Sequence, residues 1–374
     1  MRLTTGMRSW ALVFLAAATC AAQNATTANK QESPAWRDPS PHSVQFVIVD
    51  TDVKLEVLDW GGTGRPVVLL TGLGNTAHVY DDFASKLTPQ YHVYGVTRRG
   101  YGASSVPATG YMADRLGDDV LAVLDAIKLD RPVLVGHSIA GEELSSIGSR
   151  HPERVAGLIY LDAAYCYAYY DHSLGCLEID GAELRRKLEL LQNSNDQRAL
   201  AQELLQNDLP VVERDLRGIE KLPPPPTPSP TPADLVSFQA LSAWFTRTRG
   251  ITFPEAEFRA GSELTQDGKP SKLKTPPSVP QAIVAGEQKY TDIRVPVLAI
   301  CAFPHDLGPE TNNDPGAHAA AEASDAIAAT QIKAFETGVQ SARVVRLPHA
   351  NHYVFLSNEM DVLREMRAFI GSLP

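Results

Sequence analysis

The chain has 374 residues, with 34 Lys and Arg against 44 Asp and Glu, so its formal net charge is −10. Hydrophobic residues make up 44% and charged residues 21%, which is typical of a globular enzyme with a large core. An acidic chain without a Lys/Arg cluster does not fit a nucleic acid or an anionic membrane as partner, because both need a basic face. Beyond the N-terminus no apolar run is long enough to span a bilayer, so no stable membrane span is expected.

The first residues have the pattern of a targeting segment. Arg2 and Arg8 precede an apolar run over residues 10–18, and small residues continue to Ala22. This order predicts a secretory signal peptide over residues 1–22, followed by a flexible segment over residues 23–43. The protein is therefore expected to be exported, to the periplasm or the extracellular space. Lipid anchoring through Cys20 is disfavoured, because Thr19 fits poorly in a lipoprotein cleavage box.

The next segments alternate between strand and helix patterns. An opening antiparallel pair is predicted over residues 44–49 and 55–60, and buried parallel strands over 66–70, 91–96, 132–135, 155–161, 295–301 and 342–347. Helical patterns cover residues 79–87, 114–127, 142–149, 319–337 and 360–369. Together they predict an α/β fold with a mostly parallel β-sheet flanked by helices, in two core parts over residues 44–164 and 291–374.

The alternation stops over residues 165–290, where a helical cap is predicted to be inserted. Residues 183–191, 197–205 and 233–247 have helical periodicity. The proline-rich segment 222–232 can form neither a helix nor a central strand, because proline has no N–H and a fixed φ. It is predicted to be an extended spacer on the surface.

Three cysteines follow the predicted signal peptide. Cys166 and Cys176 are close in sequence, and an oxidising compartment would permit a disulfide between them, although the sequence does not decide whether it forms. Cys301 lies in an apolar run and is predicted to be a small buried side chain. No thiol has His or Asp neighbours at metal-ligand spacing, so neither a metal nor another cofactor is expected.

The most informative segment is 132–144, in which a hydrophobic strand runs through Gly136, Ser138 and Gly141 directly into a helix. A nucleophile elbow needs this arrangement, since a sharp turn between small residues lifts the serine hydroxyl off the sheet. The segment departs from G-x-S-x-G at its last position, which is Ala140. Ser138 is the predicted nucleophile.

With this elbow the chain resembles the α/β-hydrolase superfamily, and three other segments extend the resemblance. Residues 69–75 resemble the oxyanion loop, with Thr71 in place of the usual His, and residues 97–104 resemble a structural turn of the same superfamily. The resemblance implies main-chain oxyanion donors at Leu73 and Ile139. It also implies Asp306, past the end of a late strand, as the acid, and His352, past the last strand, as the base.

Two of these assignments have rivals in the sequence. Asp162 also ends a strand and is the alternative acid, and His349 is the alternative base. Aromatic residues in the cap, including Tyr165, Trp244 and Phe245, are candidates for a substrate pocket, although at helical spacing such residues also form the core of a cap.

The predicted reaction is attack of Ser138 on a small carboxylic ester or a related acyl compound, with His352 as base and Asp306 as its orienting acid. A small acyl molecule is the only partner expected, and the oligomeric state is left open. An amidase or peptidase, or an acyltransferase, perhydrolase or lyase, would use the same triad. A noncatalytic binding protein is disfavoured by the complete set of triad residues.

Overall fold

The computed structural model describes residues 36–193, 197–219, 229–266 and 268–374. The predicted signal peptide, most of the segment 23–43 and most of the proline-rich segment 222–232 lie outside these ranges.

An eight-stranded sheet forms the centre of the molecule, in the order β1-β2-β4-β3-β5-β6-β9-β10. Only β1 and β2 run antiparallel to their neighbours; the pairs from β4 to β10 are parallel. A separate hairpin, β7–β8, lies in the insertion. The strands are β1 Ser43–Asp50, β2 Val53–Gly61, β3 Pro66–Leu70, β4 His92–Thr97, β5 Val133–His137, β6 Gly157–Leu161, β7 Ser262–Leu264, β8 Pro270–Leu273, β9 Val297–Ala302 and β10 Ala342–Leu347.

The described residues form thirteen helices, some of which cover the two faces of this sheet while others belong to the insertion. They are α1 Asp81–Ala84, α2 Ala113–Ala126, α3 Ala140–Arg150, α4 Leu177–Asn193, α5 Gln197–Glu203, α6 Leu209–Ile219, α7 Phe238–Arg249, α8 Glu255–Gly261, α9 Ser278–Val284, α10 Pro309–Asn312, α11 Pro315–Gly338, α12 Val354–Ser357 and α13 Glu359–Ser372. Within β3, Val67 and Leu69 belong to the core that includes α13, whereas Val68 and Leu70 belong to the core that includes α2 and α3. Because alternate strand residues point to opposite faces, a continuous apolar run serves both cores.

The predicted fold class is confirmed: a mostly parallel sheet is flanked by helices, and a helical region is inserted after β6. Within the predicted insertion 165–290, the structure adds two elements that were not predicted, the hairpin β7–β8 and the short helix α9, between the cap helices and β9. Helix α7 begins later than predicted, at Phe238, because the side chain of Ser237 caps it by accepting a hydrogen bond from the Ala240 amide. Near the start of the core, the segment predicted as one helix over 79–87 is a 3₁₀ turn, Ala77–Tyr80, followed by α1.

Cys166 and Cys176 are joined by a disulfide, with 5.9 Å between their Cα atoms. Cys301 is fully buried in β9, as predicted. In the described part of the chain, no helix has both the length and the apolar character needed to cross a membrane.

Candidate active site

Ser138 occupies a sharp turn between β5 and α3, with a φ of +54° that few non-glycine residues adopt. Its amide donates a hydrogen bond to the Leu161 carbonyl at 3.1 Å, which fixes the turn to the neighbouring strand β6. The turn depends on two glycines, because a Cβ on Gly136 would lie 3.0 Å from the Ala140 carbonyl and one on Gly141 would lie 2.5 Å from the Ala163 carbonyl. This is the strained strand-to-helix turn expected of a nucleophile elbow.

The carboxylate that faces His352 belongs to Asp162, the residue that follows β6. Its Oδ2 lies 2.6 Å from His352 Nδ1, and its Oδ1 accepts hydrogen bonds from the Tyr165 hydroxyl at 2.8 Å and the Ala302 amide at 2.9 Å. Asp162 is completely buried. Burial would raise the pKa of this carboxyl, but the facing imidazoles of His305 and His352 outweigh it and hold that pKa far below its usual range. Asp162 is therefore an anion fixed against one nitrogen of His352.

The expected pairing of Asp306 with His352 is wrong. The Asp306 carboxylate accepts hydrogen bonds from the Gly308 amide at 2.8 Å and from Asn312 Nδ2 at 2.6 Å, within its own loop and α10. Its amide donates to the Ala350 carbonyl at 2.8 Å, which ties the loop after β9 to the loop after β10. Asp306 thus supports the loop that carries His352, and the alternative residue Asp162 faces the imidazole.

A second imidazole, which the sequence did not single out, contacts the same carboxylate. His305 Nε2 lies 3.0 Å from Asp162 Oδ2, and His305 Nδ1 lies 2.5 Å from Asp325 Oδ1 on α11. Burial would lower the pKa of His305, but the carboxylates of Asp162 and Asp325 raise it to about 10. His305 is therefore a cation at neutral pH, between two anions.

The oxyanion loop, the elbow and the loop of His352 meet at Ser138. His137 Nε2 lies 3.1 Å from the His352 carbonyl oxygen, and a Cβ on Gly72 would lie 3.3 Å from Ser138 Cβ. Ile139 caps the N-terminus of α3, where backbone amides have no partner within the helix. Leu73 and Ile139 are both buried, so an anion held by their amides would be shielded from water.

Tyr167 and helix α9 close the site from the insertion. The Tyr167 hydroxyl lies beside Ser138, and burial raises the pKa of this phenol well above its usual range. Val279 and Ile283 on α9 pack in one cluster with Leu73 and Ile139. The contacts of α9 were not predicted, because this helix is too short to show a helical period.

The remaining predicted residues divide into those near the site and those outside it. Tyr165 reaches the site through its hydrogen bond to Asp162. Trp244 and Phe245 instead pack against each other and, with Phe253 and Phe258, form apolar core. His349 is exposed, with a φ of +56°, so it does not take the place of His352.

Among the residues that the structure describes, two groups of side chains have donor atoms close enough to share a metal ion. One consists of Asp162, His305 and His352 at the candidate active site; the other lies elsewhere and consists of Asp38, His42, His78 and Asp81. In the first group, a metal on His352 Nδ1 would displace the contact with Asp162 that orients the ring.

A family model described as the alpha/beta hydrolase family matches residues 67–365. Among curated proteins, the chain is 32% identical over 112 residues to a putative non-heme haloperoxidase of Mycobacterium phage D29, covering 30% of this chain and 40% of that protein. It is 30% identical over 114 residues to 3-oxoadipate enol-lactonase 2 of Acinetobacter baylyi, covering 30% of this chain and 43% of that one. The matched part spans about two fifths of the length of these relatives.

Solved structures share the fold over most of the chain. E-2-(acetamidomethylene)succinate hydrolase superposes with a TM-score of 0.57 at 18% identity, covering 88% of this chain and all of that one. An esterase from Rhodococcus sp. ECU1013 superposes with a TM-score of 0.52 at 18% identity, covering 89% of this chain and all of that one.

Proposed function

Since this chain belongs to the alpha/beta hydrolase family, we propose that it is a serine hydrolase that cleaves a small carboxylic ester through an acyl-enzyme. The observation that carries this proposal is the pair Asp162–His352, held beside an elbow that presents Ser138. Asp162 binds Nδ1 of His352 and so leaves Nε2 as the nitrogen that serves as base.

In the proposed reaction His352 Nε2 takes the proton of Ser138 as its Oγ bonds to the carbonyl carbon of the ester. The negative charge that forms on the carbonyl oxygen is held by the amides of Leu73 and Ile139, and the buried anion Asp162 stabilises the imidazolium. The imidazolium then protonates the departing alcohol. Water, deprotonated by His352, adds to the acyl group, and Ser138 leaves with the proton as the acid is released.

A small acyl substrate is supported by the walls of the site. Leu73, Ile139, Val279 and Ile283 form a tight apolar cluster around the proposed oxyanion position. The enol-lactonase and esterase among the similar proteins act, by their names, on carboxylic esters, which agrees with the proposed bond.

We further propose export as the location, because the N-terminal pattern of a signal peptide and the disulfide Cys166–Cys176 both fit an oxidising compartment.

The test is a panel of p-nitrophenyl esters and anilides of increasing acyl length, assayed with the wild type, Ser138→Ala and Ser149→Ala. Ser149 is the matched control, because it lies on α3 and its buried hydroxyl has no hydrogen-bond partner among the described residues. Ser138→Ala should abolish ester turnover and labelling by a fluorophosphonate, and Ser149→Ala should retain both. Turnover that survives in Ser138→Ala would refute the proposal, and anilide cleavage in preference to esters would reassign the enzyme as an amidase.

A further inference from the structure

The second group of metal-ligating side chains lies where the segment before β1 packs against the turn before α1. We name it the Asp38–Asp81 cluster; its members are Asp38, His42, His78 and Asp81. Its members come from two parts of the chain separated by β1, β2 and β3. The cluster has no role in the proposed reaction.

The donor atoms of the cluster lie close to one another. His78 Nδ1 lies 3.3 Å from Asp38 Oδ2 and 3.1 Å from Asp81 Oδ2. His42 faces the same two carboxylates, with Nε2 3.7 Å from Asp38 Oδ2 and Nδ1 2.9 Å from Asp81 Oδ1. One donor from each of the four residues lies within 4.8 Å of all the others. Tetrahedral zinc, with bonds of about 2.0–2.2 Å, needs ligand atoms roughly 3.3–3.6 Å apart, so small side-chain movements suffice.

Neighbouring residues hold the side chains of the cluster in position, as the residues around a metal site hold its ligands. His78 presents Nδ1 to the cluster and Nε2 to Glu56 Oε1 at 3.9 Å, and Glu56 is itself fixed by the Thr97 hydroxyl at 2.8 Å. Asp81 Oδ1 accepts hydrogen bonds from Trp60 Nε1 at 3.1 Å and from Ser40 Oγ at 2.8 Å. A carboxylate behind a ligating histidine fixes the ring and raises its basicity.

The charge of the cluster also suits a cation. Three carboxylates, from Asp38, Asp81 and Glu56, surround two imidazoles, and within the described residues no Lys or Arg is ion-paired with Asp38 or Asp81. The side chains of His42 and Asp81 are each only 4% exposed, whereas Asp38 is 23% exposed and leaves a route for an ion from solvent. Two imidazole and two carboxylate donors suit zinc, whereas calcium and magnesium prefer oxygen ligands alone.

We propose that Asp38, His42, His78 and Asp81 bind one Zn²⁺ ion, which fastens the segment before β1 to the turn that follows the oxyanion loop. The ion is structural, since all four positions are protein ligands and no open position is left for substrate. Because residues 77–80 directly follow residues 69–76, the ion also anchors the end of the oxyanion loop.

The test uses the full chain, stripped with a chelator that is then dialysed away, and titrated calorimetrically with zinc chloride. The wild type should bind one zinc at this cluster, and its melting temperature should rise by roughly 3–6 °C at a hundredfold excess over Kd. Asp38→Asn and His42→Ala should each weaken zinc binding at least tenfold. The control His318→Ala removes an exposed histidine that faces Glu322 at 3.5 Å on α11, and it should change nothing.

A second arm separates this cluster from the group at the candidate active site. Zinc bound at that group would be lost in His352→Ala and retained in His42→Ala, and that result would overturn the proposal. Absence of saturable binding in the wild type would also overturn it, and would leave the cluster as a set of contacts between imidazoles and carboxylates. Asp38→Asn is included because it is nearly isosteric and partly exposed, so it folds even where His42→Ala does not.

Discussion

Replacing Asp162 with Asn tests which carboxylate orients the base. The new side chain keeps one oxygen, which can still accept from the Ala302 amide at 2.9 Å and the Tyr165 hydroxyl at 2.8 Å. The NH₂ group takes the place of Oδ2, which lies 2.6 Å from His352 Nδ1 and 3.0 Å from His305 Nε2. A donor at that point requires Nδ1 of His352 to become an acceptor.

The size of the expected loss of kcat follows from the tautomer of His352. If Nδ1 accepts, the proton of the neutral ring moves to Nε2, and the base can no longer take the proton of Ser138. The same replacement in a serine-protease triad lowers kcat by about 10⁴, which is about 5 kcal/mol of barrier at 1.36 kcal/mol per tenfold. We expect a loss of about 10³–10⁴ in kcat, with KM nearly unchanged, because the site that binds the substrate is left intact.

The matched control is Asp306→Asn, since Asp306 is also an acid near the carboxyl end of a strand. Asparagine at 306 can still accept from the Gly308 amide, so we expect kcat within about threefold of the wild type and a stability loss of about 1 kcal/mol or less. The assay is hydrolysis of the best p-nitrophenyl ester, with near-UV circular dichroism to establish that both variants fold. The reverse outcome, a large loss in Asp306→Asn with Asp162→Asn active, would refute the assignment.

Three further predictions address the surroundings of the site. His305→Gln keeps a donor to Asp162 but removes a cation that stabilises its charge, so kcat for the best p-nitrophenyl ester should fall about tenfold; an unchanged kcat would leave His305 with a packing role only. Tyr167→Phe removes the hydroxyl beside Ser138 and should lower kcat/KM roughly fivefold, as the loss of a polar contact worth about 1 kcal/mol implies, and an unchanged rate would exclude a role for this hydroxyl. Burial raises the pKa of Glu257 to about 7 despite hydrogen bonds from Thr76 and Asn75, so the folded state keeps a proton that the unfolded state loses above about pH 4.5. Stability should therefore fall by about 3 kcal/mol between pH 4.5 and 7 through this group, and urea unfolding at several pH values should show that slope reduced in Glu257→Gln.

Strands β3, β4, β5, β6 and β9 could be predicted because they are buried on both faces and are therefore continuous runs of apolar residues bounded by helices. The edge strand β10 is only partly buried, but its central Val344 and Val345 also indicated a strand. The hairpin β7–β8 and helix α9 escaped prediction for the opposite reason. Each has few residues and only two or three buried side chains, so the tertiary context decides its conformation rather than a sequence period.

The nucleophile could be predicted from local signals, whereas its acid could not. The turn at Ser138 needs small residues at fixed positions on either side of the serine. These residues lie within three positions of Ser138, so they can be recognised in the sequence. Asp162 and Asp306 both follow parallel strands, at the edge of the sheet where His352 lies, so the strand pattern alone does not separate them. What separates them is the direction of each carboxylate: that of Asp306 binds partners in its own loop, whereas that of Asp162 binds Ala302 and His352, which are 140 and 190 residues away in the sequence.

The loop after β9 does not supply the acid, but it supports the acid with a positively charged side chain. It directs His305, a cation, at Asp162, and it places the Asp306 carboxylate on its own backbone. A buried carboxylate beside a single imidazole would carry a large desolvation cost. That cost is reduced because Asp162 has four partners within hydrogen-bond distance, namely two imidazoles, one hydroxyl and one backbone amide. His305→Gln keeps a donor to Asp162 and removes the charge, so the loss of kcat in this variant measures what the cation contributes to holding the Asp162 anion in place.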